Sequence, residues 1–558
     1  MQVPCDAIRR TISYGTVLPS RGSPLSQLGD AELDVLVVGA GISGACIALE
    51  AATNGLRVGV VDRGDYGGGA TGNCLRIVHG GLRYLQHADL RRARISTAER
   101  SMWLRSAPHL VEPLPVVVPT LRGRFPPRWM LAGALAVNDA LGADRNDGLD
   151  ADRQLPGARV LSRAECLTMV PALDHPHVTG GALFHDAVMY SPERLTLEVI
   201  EAAVRAGAAA ANHVAFDEAR RTRDGPVTCR LRDMITGDVA EVRTRWIVNA
   251  TGAWVGDVAR RITGRPAAEP PSYSIAFSLV TGEPDPGPAF AVSGGAPDPD
   301  RVGGSGARQL FVLPWRGQRL YGTAHFPFHG DPAAPVLPDT LVEQFLEELD
   351  AATPRLSLTP TAIRLVPWGL LPVAGPATER VRLLKHHRIV DHATEGASHV
   401  LSVVSVKFTT ARRLAADVVD RIIGRRVERA APIRLALPGR LPEDVTASLA
   451  SARAQHGPDV PDDVLEHLLR SYGTRHVDVI ALARNVDGGL ERVAEGAPVI
   501  RAQLHYGARF EQARTVDDLA WRRTELGPRG LVTDDVQRQA QRAIEAAAGR
   551  AGAVTRAP

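Results

Sequence analysis

Three glycines, Gly39, Gly41 and Gly44, in the run VLVVGAGISGACIALEAA constrain this chain more than any other feature. An apolar stretch (residues 35–38) precedes them and a helix-compatible segment follows. A second apolar run, VGVV, then ends on Asp62, eighteen residues beyond Gly44. The order predicts a strand, a tight turn, a helix, a strand and an acid, which is the βαβ unit of a dinucleotide site. The first glycine permits the sharp turn and the second lets backbone approach a pyrophosphate. The third lets helix and strand pack closely, and the helix N-terminus brings partial positive charge. Asp62 is placed to accept hydrogen bonds from ribose hydroxyls.

At 558 residues the chain exceeds what one core holds, so two or three domains are expected. No apolar run reaches the roughly 20 residues that span a bilayer. The first 32 residues lack an apolar signal segment and read as a flexible leader. A net charge of +3 gives no reason to expect nucleic acid as a partner, whereas contact with a membrane surface needs only one amphipathic face and stays open. Five scattered cysteines without metal-ligand spacing fit a reduced, cytoplasmic compartment, and no metal site is expected. Cys46 reads as a packing residue. For Cys74 a reactive thiol stays open beside the packing alternative. Only two of the 65 basic residues are lysines, Lys385 and Lys407, which marks them as positions where a compact ammonium is wanted or as chance survivors of an arginine-rich drift.

Along the chain, residues 89–107 read as an amphipathic helix stopped by Pro108, and 192–208 as a second helix. Residues 113–182 are rich in proline and arginine and carry little periodic signal. QLFVLPW and RLYGTAHF pair as a hairpin across RGQ. HVLSVVSVKFTTARRLAADVVDRII (399–423) is a buried strand running into a helix, with Thr409 and Thr410 placed to cap it. PGRLPED (438–444) reads as a linker, and residues 445–558 as helical.

Several runs beyond the glycine fingerprint resemble the FAD-dependent glycerol-3-phosphate dehydrogenase family, within the D-amino-acid-oxidase-like flavoproteins. They are IVHGGLRYLQ (77–86), APHLVEPLPVVVPT (107–120), VNATGAWV (248–255), FVLPW, YGTAHF, and LSVVSVKFTTARRLAAD (401–417). In the tail, HLLRSYGTRHVDVIALA and ARFEQARTVDDLAWRRTELG carry the same likeness. The resemblance implies an α/β fold: a Rossmann-like FAD-binding domain with an interleaved antiparallel-sheet (α+β) substrate domain and a C-terminal all-helical domain. The expected boundaries are a leader over 1–32, the FAD and substrate domains over 33–437 and the helical domain over 438–558. The substrate part covers roughly 113–190 and 262–365.

What the resemblance implies for the site can be set out by residue. Gly39, Gly41, Gly44, Asp62 and Thr71 would hold the FAD pyrophosphate and ribose. Backbone at Val214 would meet the adenine, and Ala250, Thr251 and Gly252 would lie along the cofactor. His79, Gly80 and Gly81 would approach the isoalloxazine, and Lys407, Phe408, Thr409 and Thr410 would bring a helix N-terminus to its N1–C2=O edge. Arg83 and Tyr84 match substrate-pocket residues. With Lys407, Lys385 and His325 they form the catalytic candidates.

The substrate half departs from the family pattern. Leu371, in GLLPV, stands where the family has a substrate-gripping arginine, with Arg364 as the alternative under a shifted alignment. A family histidine falls near Phe277, a family arginine falls on Lys385, two glycines become Ser405 and Val406, and an acid becomes His325. The expected activity is hydride transfer from a CH–OH substrate to flavin and on to a quinone-like acceptor or oxygen. Two alternatives stay open: the same chemistry on a non-phosphorylated alcohol or amine, and a flavin-binding protein without turnover. A homodimer and attachment to the inner face of the cytoplasmic membrane are also left open.

Overall fold

The computed structural model describes residues 24–29, 31–85, 89–122, 128–220, 226–265, 272–282, 287–297, 307–356, 358–375, 381–427, 434–442 and 444–554. Most of the expected leader lies outside the described residues. Its last part is not loose: Pro24–Leu28 is a short 3-10 helix whose Leu25 and Leu28 are buried against the first sheet. Two leucines spaced three apart found an apolar surface there that composition alone did not reveal.

The glycine fingerprint folds as read. Strand β1 (Leu33–Val38), helix α1 (Ile42–Thr53) and strand β2 (Val58–Val61) form a βαβ unit with almost wholly buried strands. The first sheet runs in the order Arg388–Asp391, Val400–Val404, Val239–Asn249, β1, β2, Ala209–Ala211, and Val214–Arg220 and Val227–Asp233 extend it as an antiparallel meander. Its central strands are parallel. Val38 is level with both Val61 and Asn249, and Asn249 is level with Ser402. So the carboxyl ends of four strands finish along one edge, the edge at which open α/β sheets bind ligands. Apolar side chains cover both faces, as buried parallel strands require.

The second sheet has ten strands: Ile363–Leu365, Tyr273–Thr281, Gln318–Phe328, Ala307–Trp315, Ala289–Pro297, Val111–Leu121, Val178–Met189 and Ile77–Val78, with Trp368–Pro372 and Arg159–Ser162 paired at the sides. It is antiparallel apart from one parallel pair, Ala289–Pro297 with Val111–Leu121. The hairpin across Arg316–Gly317 forms as expected, with both residues at positive φ. Helix Asp339–Ala352 covers one face of this sheet through Phe345 and Leu349. The unreadable stretch contains a helix, Arg128–Leu141, that proline-rich flanks concealed.

Beyond residue 444 the chain is mainly helical: Val445–His456, Asp462–Tyr472, His476–Ala483, Arg501–Phe510 and Asp534–Val554. The stretch read as a linker is packed instead. Leu437, Pro438, Gly439 and Leu441 are buried, and a Cβ on Gly439 would lie 2.8 Å from the Tyr472 carbonyl oxygen. Buried ion pairs fasten the helices to the loop after β2 and to helix Pro192–Arg205, which flanks the first sheet. Arg523 and Arg522 reach Asp65, Arg194 reaches Glu511, and Arg475 reaches Glu198 and Glu201. The π-helical turn Asp518–Arg523 presents the two consecutive arginines to one carboxylate. Among the described residues, Asp65, His213 and Asp518 gather within metal-ligand distance, but the arginines on both carboxylates make this an ion-pair cluster. No described helix is long and apolar enough to cross a membrane.

Candidate functional site

The glycine turn is closed by contacts that exclude side chains. Gly39 has φ +100°, and a Cβ there would meet the Ala250 carbonyl oxygen at 2.7 Å. A Cβ on Gly44 would stand 1.8 Å from the Gly39 carbonyl oxygen, so α1 sits as close to β1 as backbones allow. Helix α1 has no acidic residue in its first turn, which leaves its positive end suited to an anion. Thr71 reaches this turn, its Oγ1 accepting the Ile42 N–H at 3.1 Å. Asp62 follows β2 and accepts the Ala40 N–H at 2.7 Å and the Gly64 N–H at 2.9 Å. Burial pushes its carboxyl up, and these two amides pull it back. The Val214 N–H donates to the Asp62 carbonyl at 2.6 Å, placing the start of the meander at the same edge.

The turn after Val239–Asn249 is braced by Asn249, which donates to the Val255 carbonyl at 2.8 Å and to Ser402 Oγ at 3.1 Å and accepts from Thr251 Oγ1 at 2.7 Å. Gly252 follows at φ +61°. Ala250, Thr251 and Gly252 therefore stand beside the glycine turn. Helix Ala411–Ile423 follows the parallel strand Val400–Val404 and packs alongside α1, so the two helices start at the same edge. Thr410 is its N-cap by position, but the side chain makes no capping bond. The Thr409 carbonyl instead accepts Trp103 Nε1–H at 3.0 Å, and the Trp103 and Phe408 rings pack at 5.7 Å.

Across this edge lies the HGG segment. Gly81 is at φ +95° with no room for a side chain beside Ala93, and a Cβ on Gly80 would collide with the Arg100 guanidinium. Asp186 organises the segment. It accepts His79 Nδ1–H at 3.0 Å and the Gly80 N–H at 2.6 Å, with Arg100 Nη1 at 3.3 Å. Burial opposes its charge, yet these partners hold the carboxyl below its ordinary value. Donation from Nδ1 leaves Nε2 of the half-exposed His79 as an acceptor. Asp186 and Arg100 were not found from sequence, because FHDAVMY and STAERS carry no motif that sets one polar residue above its neighbours.

Lys407 reaches the backbone of the other lysine. Lys407 Nζ donates to the Lys385 carbonyl at 3.1 Å and lies 4.5 Å from the Tyr84 ring centroid, and Arg92 stacks on the same ring at 3.9 Å. Tyr84 touches Gly81, so this cationic cluster adjoins the His79–Asp186 pair. The Arg83 side chain lies outside the described residues.

The second sheet separates the remaining candidates by face. Ser274, Ala276 and Ser278 share one strand face, which looks onto Ala70 and Leu75: Gly369, level with Ala276, stands beside Ala70, and Gly322, level with Ser278, beside Leu75. His325 pairs with Ala276 and Leu371 with Ser274, so both lie on that face. Phe277 points the other way, buried against Phe326 and Phe345 at ring distances of 6.0 and 5.5 Å. It is therefore core, and strand alternation removes it from the site. Arg364 is exposed against Gly282 at the far end of strand Tyr273–Thr281, so it does not take the place of Leu371. For Cys74, burial pushes the thiol up to about 11, which opposes reactivity and favours the packing alternative.

Comparison with known proteins agrees with this layout. A family described as FAD dependent oxidoreductase matches residues 34–420, and the C-terminal domain of alpha-glycerophosphate oxidase matches residues 434–552. A glycerol-3-phosphate dehydrogenase of Synechocystis is 29% identical over 517 residues, covering 90% of each chain. The human mitochondrial glycerol-3-phosphate dehydrogenase is 29% identical, over 91% of this chain and 69% of its own. The Bacillus halodurans glycerol-3-phosphate dehydrogenase, solved with FAD, superposes with a TM-score of 0.68 at 20% identity, covering 94% of this chain and 96% of that one. The glycine cradle and the unopposed positive end of α1 fit a pyrophosphate, and with the family match over 34–420 they establish that this chain belongs to the FAD dependent oxidoreductases, with FAD as its cofactor.

Proposed function

We propose that this protein is a glycerol-3-phosphate dehydrogenase-like enzyme that oxidises a CH–OH group of a small anionic substrate. The observation that carries the reading is the pair of cations, Lys407 and Arg92, on the Tyr84 ring, directly beside the His79–Asp186 pair. A compact ammonium suits a phosphate, and Lys407, one of only two lysines in an arginine-rich chain, stands here. FAD held by the glycine turn would supply an acceptor for the hydride of the carbinol carbon. His79 Nε2 takes the hydroxyl proton, and Asp186 fixes the ring by holding Nδ1–H. His325 faces the same space from the second sheet and serves as a polar wall. The electrons leave to a quinone or to oxygen.

A second reading is favoured by Leu371. An apolar side chain on the site face, where the family pattern has an arginine, suits a substrate carrying less charge. Anaerobic mixing separates the two. Glycerol 3-phosphate should bleach the flavin band, and Lys407→Met should raise KM by about tenfold to a hundredfold, the loss of one charge-assisted contact. Bleaching by non-phosphorylated alcohols or amines, with glycerol 3-phosphate inert, would overturn the phosphate reading. A bound flavin that no such substrate bleaches would favour a protein without turnover.

A further inference from the structure

Helix Ala411–Ile423 begins in an unusual way for a buried helix. Its first turn holds no acid and two arginines, Arg412 and Arg413, although the positive end of a helix favours carboxylates there. Arg412 is buried, and its compensation comes from another element. Glu99, on helix Leu90–Ser106, accepts Arg412 Nε–H at 3.1 Å and also accepts from Nη2, a two-point contact between side chains that are 4% and 9% exposed. The same helix supplies Trp103, which holds the Thr409 carbonyl. One helix thus both fixes the backbone of the 407–410 turn and neutralises the guanidinium behind it.

This turn lies on the ligand edge of the first sheet. Strands β1 and Val400–Val404 both run toward that edge, and the helices that follow them pack side by side. A dinucleotide whose pyrophosphate rests on α1 therefore has its other end within reach of the second helix N-terminus. When a flavin accepts a hydride it gains two electrons and one proton, so one negative charge is left on the ring. A positive helix end stabilises that charge, and a neighbouring guanidinium adds to it in the same sense. The carboxylate that pairs with the guanidinium subtracts from it. Arg413 and Asp417, one turn apart on the solvent side, pair with each other at 3.1 Å and cancel locally. Glu50 on α1 adds a weaker negative contribution to the field at Arg412.

We propose that the Glu99–Arg412 pair sets the reduction potential of the bound flavin, Glu99 lowering it and Arg412 raising it. Both are positioning residues that act through charge, without contact to substrate. The inference rests on the reading that the flavin ring end lies at the 407–410 turn.

The test is the midpoint potential of FAD in the purified holoenzyme, measured by dye equilibration, for wild type, Glu99→Gln, Arg412→Met, Arg412→Lys and Lys407→Met. Glu99→Gln keeps the shape and removes the charge. It should shift the two-electron reduction equilibrium toward reduced flavin by about tenfold, which is ~30 mV upward. Arg412→Met should shift it the opposite way by a similar factor. Arg412→Lys, which keeps the charge, should stay near wild type, an outcome that a packing effect alone does not produce. FAD content and thermal melting of each variant check that the holoenzyme is intact. A potential that moves with Lys407→Met but not with Glu99→Gln or Arg412→Met would overturn the tuning role while leaving the flavin placement standing. If none of the three moves it, the placement itself falls and the inference falls with it.

Discussion

The two sheets meet at the same site under opposite constraints. On the first sheet, Gly39 and Gly44 lie against backbone too closely to admit a methyl group, Asn249 braces the neighbouring turn through its amide, and Trp103 holds the start of helix Ala411–Ile423. On the second sheet, His325, Leu371 and Ser278 are side chains on a strand face, and each can change without moving a backbone atom. Departures from the family pattern fall on the second sheet at His325 and Leu371, and in the loops that flank strands of the first at Lys385, Ser405 and Val406, while the glycine turn keeps the pattern. A cofactor shared across a family is held by geometry, whereas a substrate is chosen by side chains, so divergence accumulates where it costs the fold least.

The sharpest way to break this contrast is Gly44→Ala. Its Cβ would stand 1.8 Å from the Gly39 carbonyl oxygen, a backbone atom held by the sheet. Purified variant protein should lack the visible flavin band, with FAD affinity lower by about a hundredfold. A variant that keeps its flavin would show that the turn yields after all. Next in size is His79→Gln, expected to lower kcat by about 10²- to 10⁴-fold with FAD content unchanged. Asp186→Asn keeps an acceptor but loses the charge, and should cost a smaller factor in the same direction. Single-turnover flavin reduction distinguishes them, and an unchanged rate in His79→Gln removes the histidine from proton transfer.

The smallest effect concerns the helical region. Burial, with the charges of Arg316, Arg529 and Arg194, pushes His467 down to about 4 against the pull of Glu525. Its ring is held by the Tyr190 hydroxyl at 2.9 Å and the Gln503 amide at 3.1 Å. Between its ordinary value of 6.5 and about 4, the unfolded chain binds more protons than the folded one. Stability from this group is therefore full above pH 6.5 and declines as pH falls toward 4, by on the order of 3 kcal/mol in total. Melting temperature against pH should fall more steeply in the wild type than in His467→Gln. Equal slopes would mean that His467 does not report the docking of these helices.

How far the sequence could be read follows the same division. Gly39, Gly41, Gly44 and Asp62 were legible because backbone geometry demands glycine and an acid at fixed spacing, and the HGG segment and VNATG were legible through family likeness. Asp186, Arg100 and Glu99 were not. Each acts on a residue far away in the chain, and nothing local distinguishes a buried carboxylate that organises a site from one on the surface. Phe277 shows the reverse error: alignment put it near the site, and the pleat turned it to the core.

The sequence by itself determined the βαβ unit, the cofactor class and the run of helices at the end, since short-range periodicity and steric need write these locally. The tertiary structure alone decided which face of the second sheet looks at the site, that Lys407 and Arg92 share the Tyr84 ring, and that a glutamate on one helix neutralises an arginine on another. Those relations depend on register and on charges brought out of water in pairs, and pairing across hundreds of residues leaves no local trace.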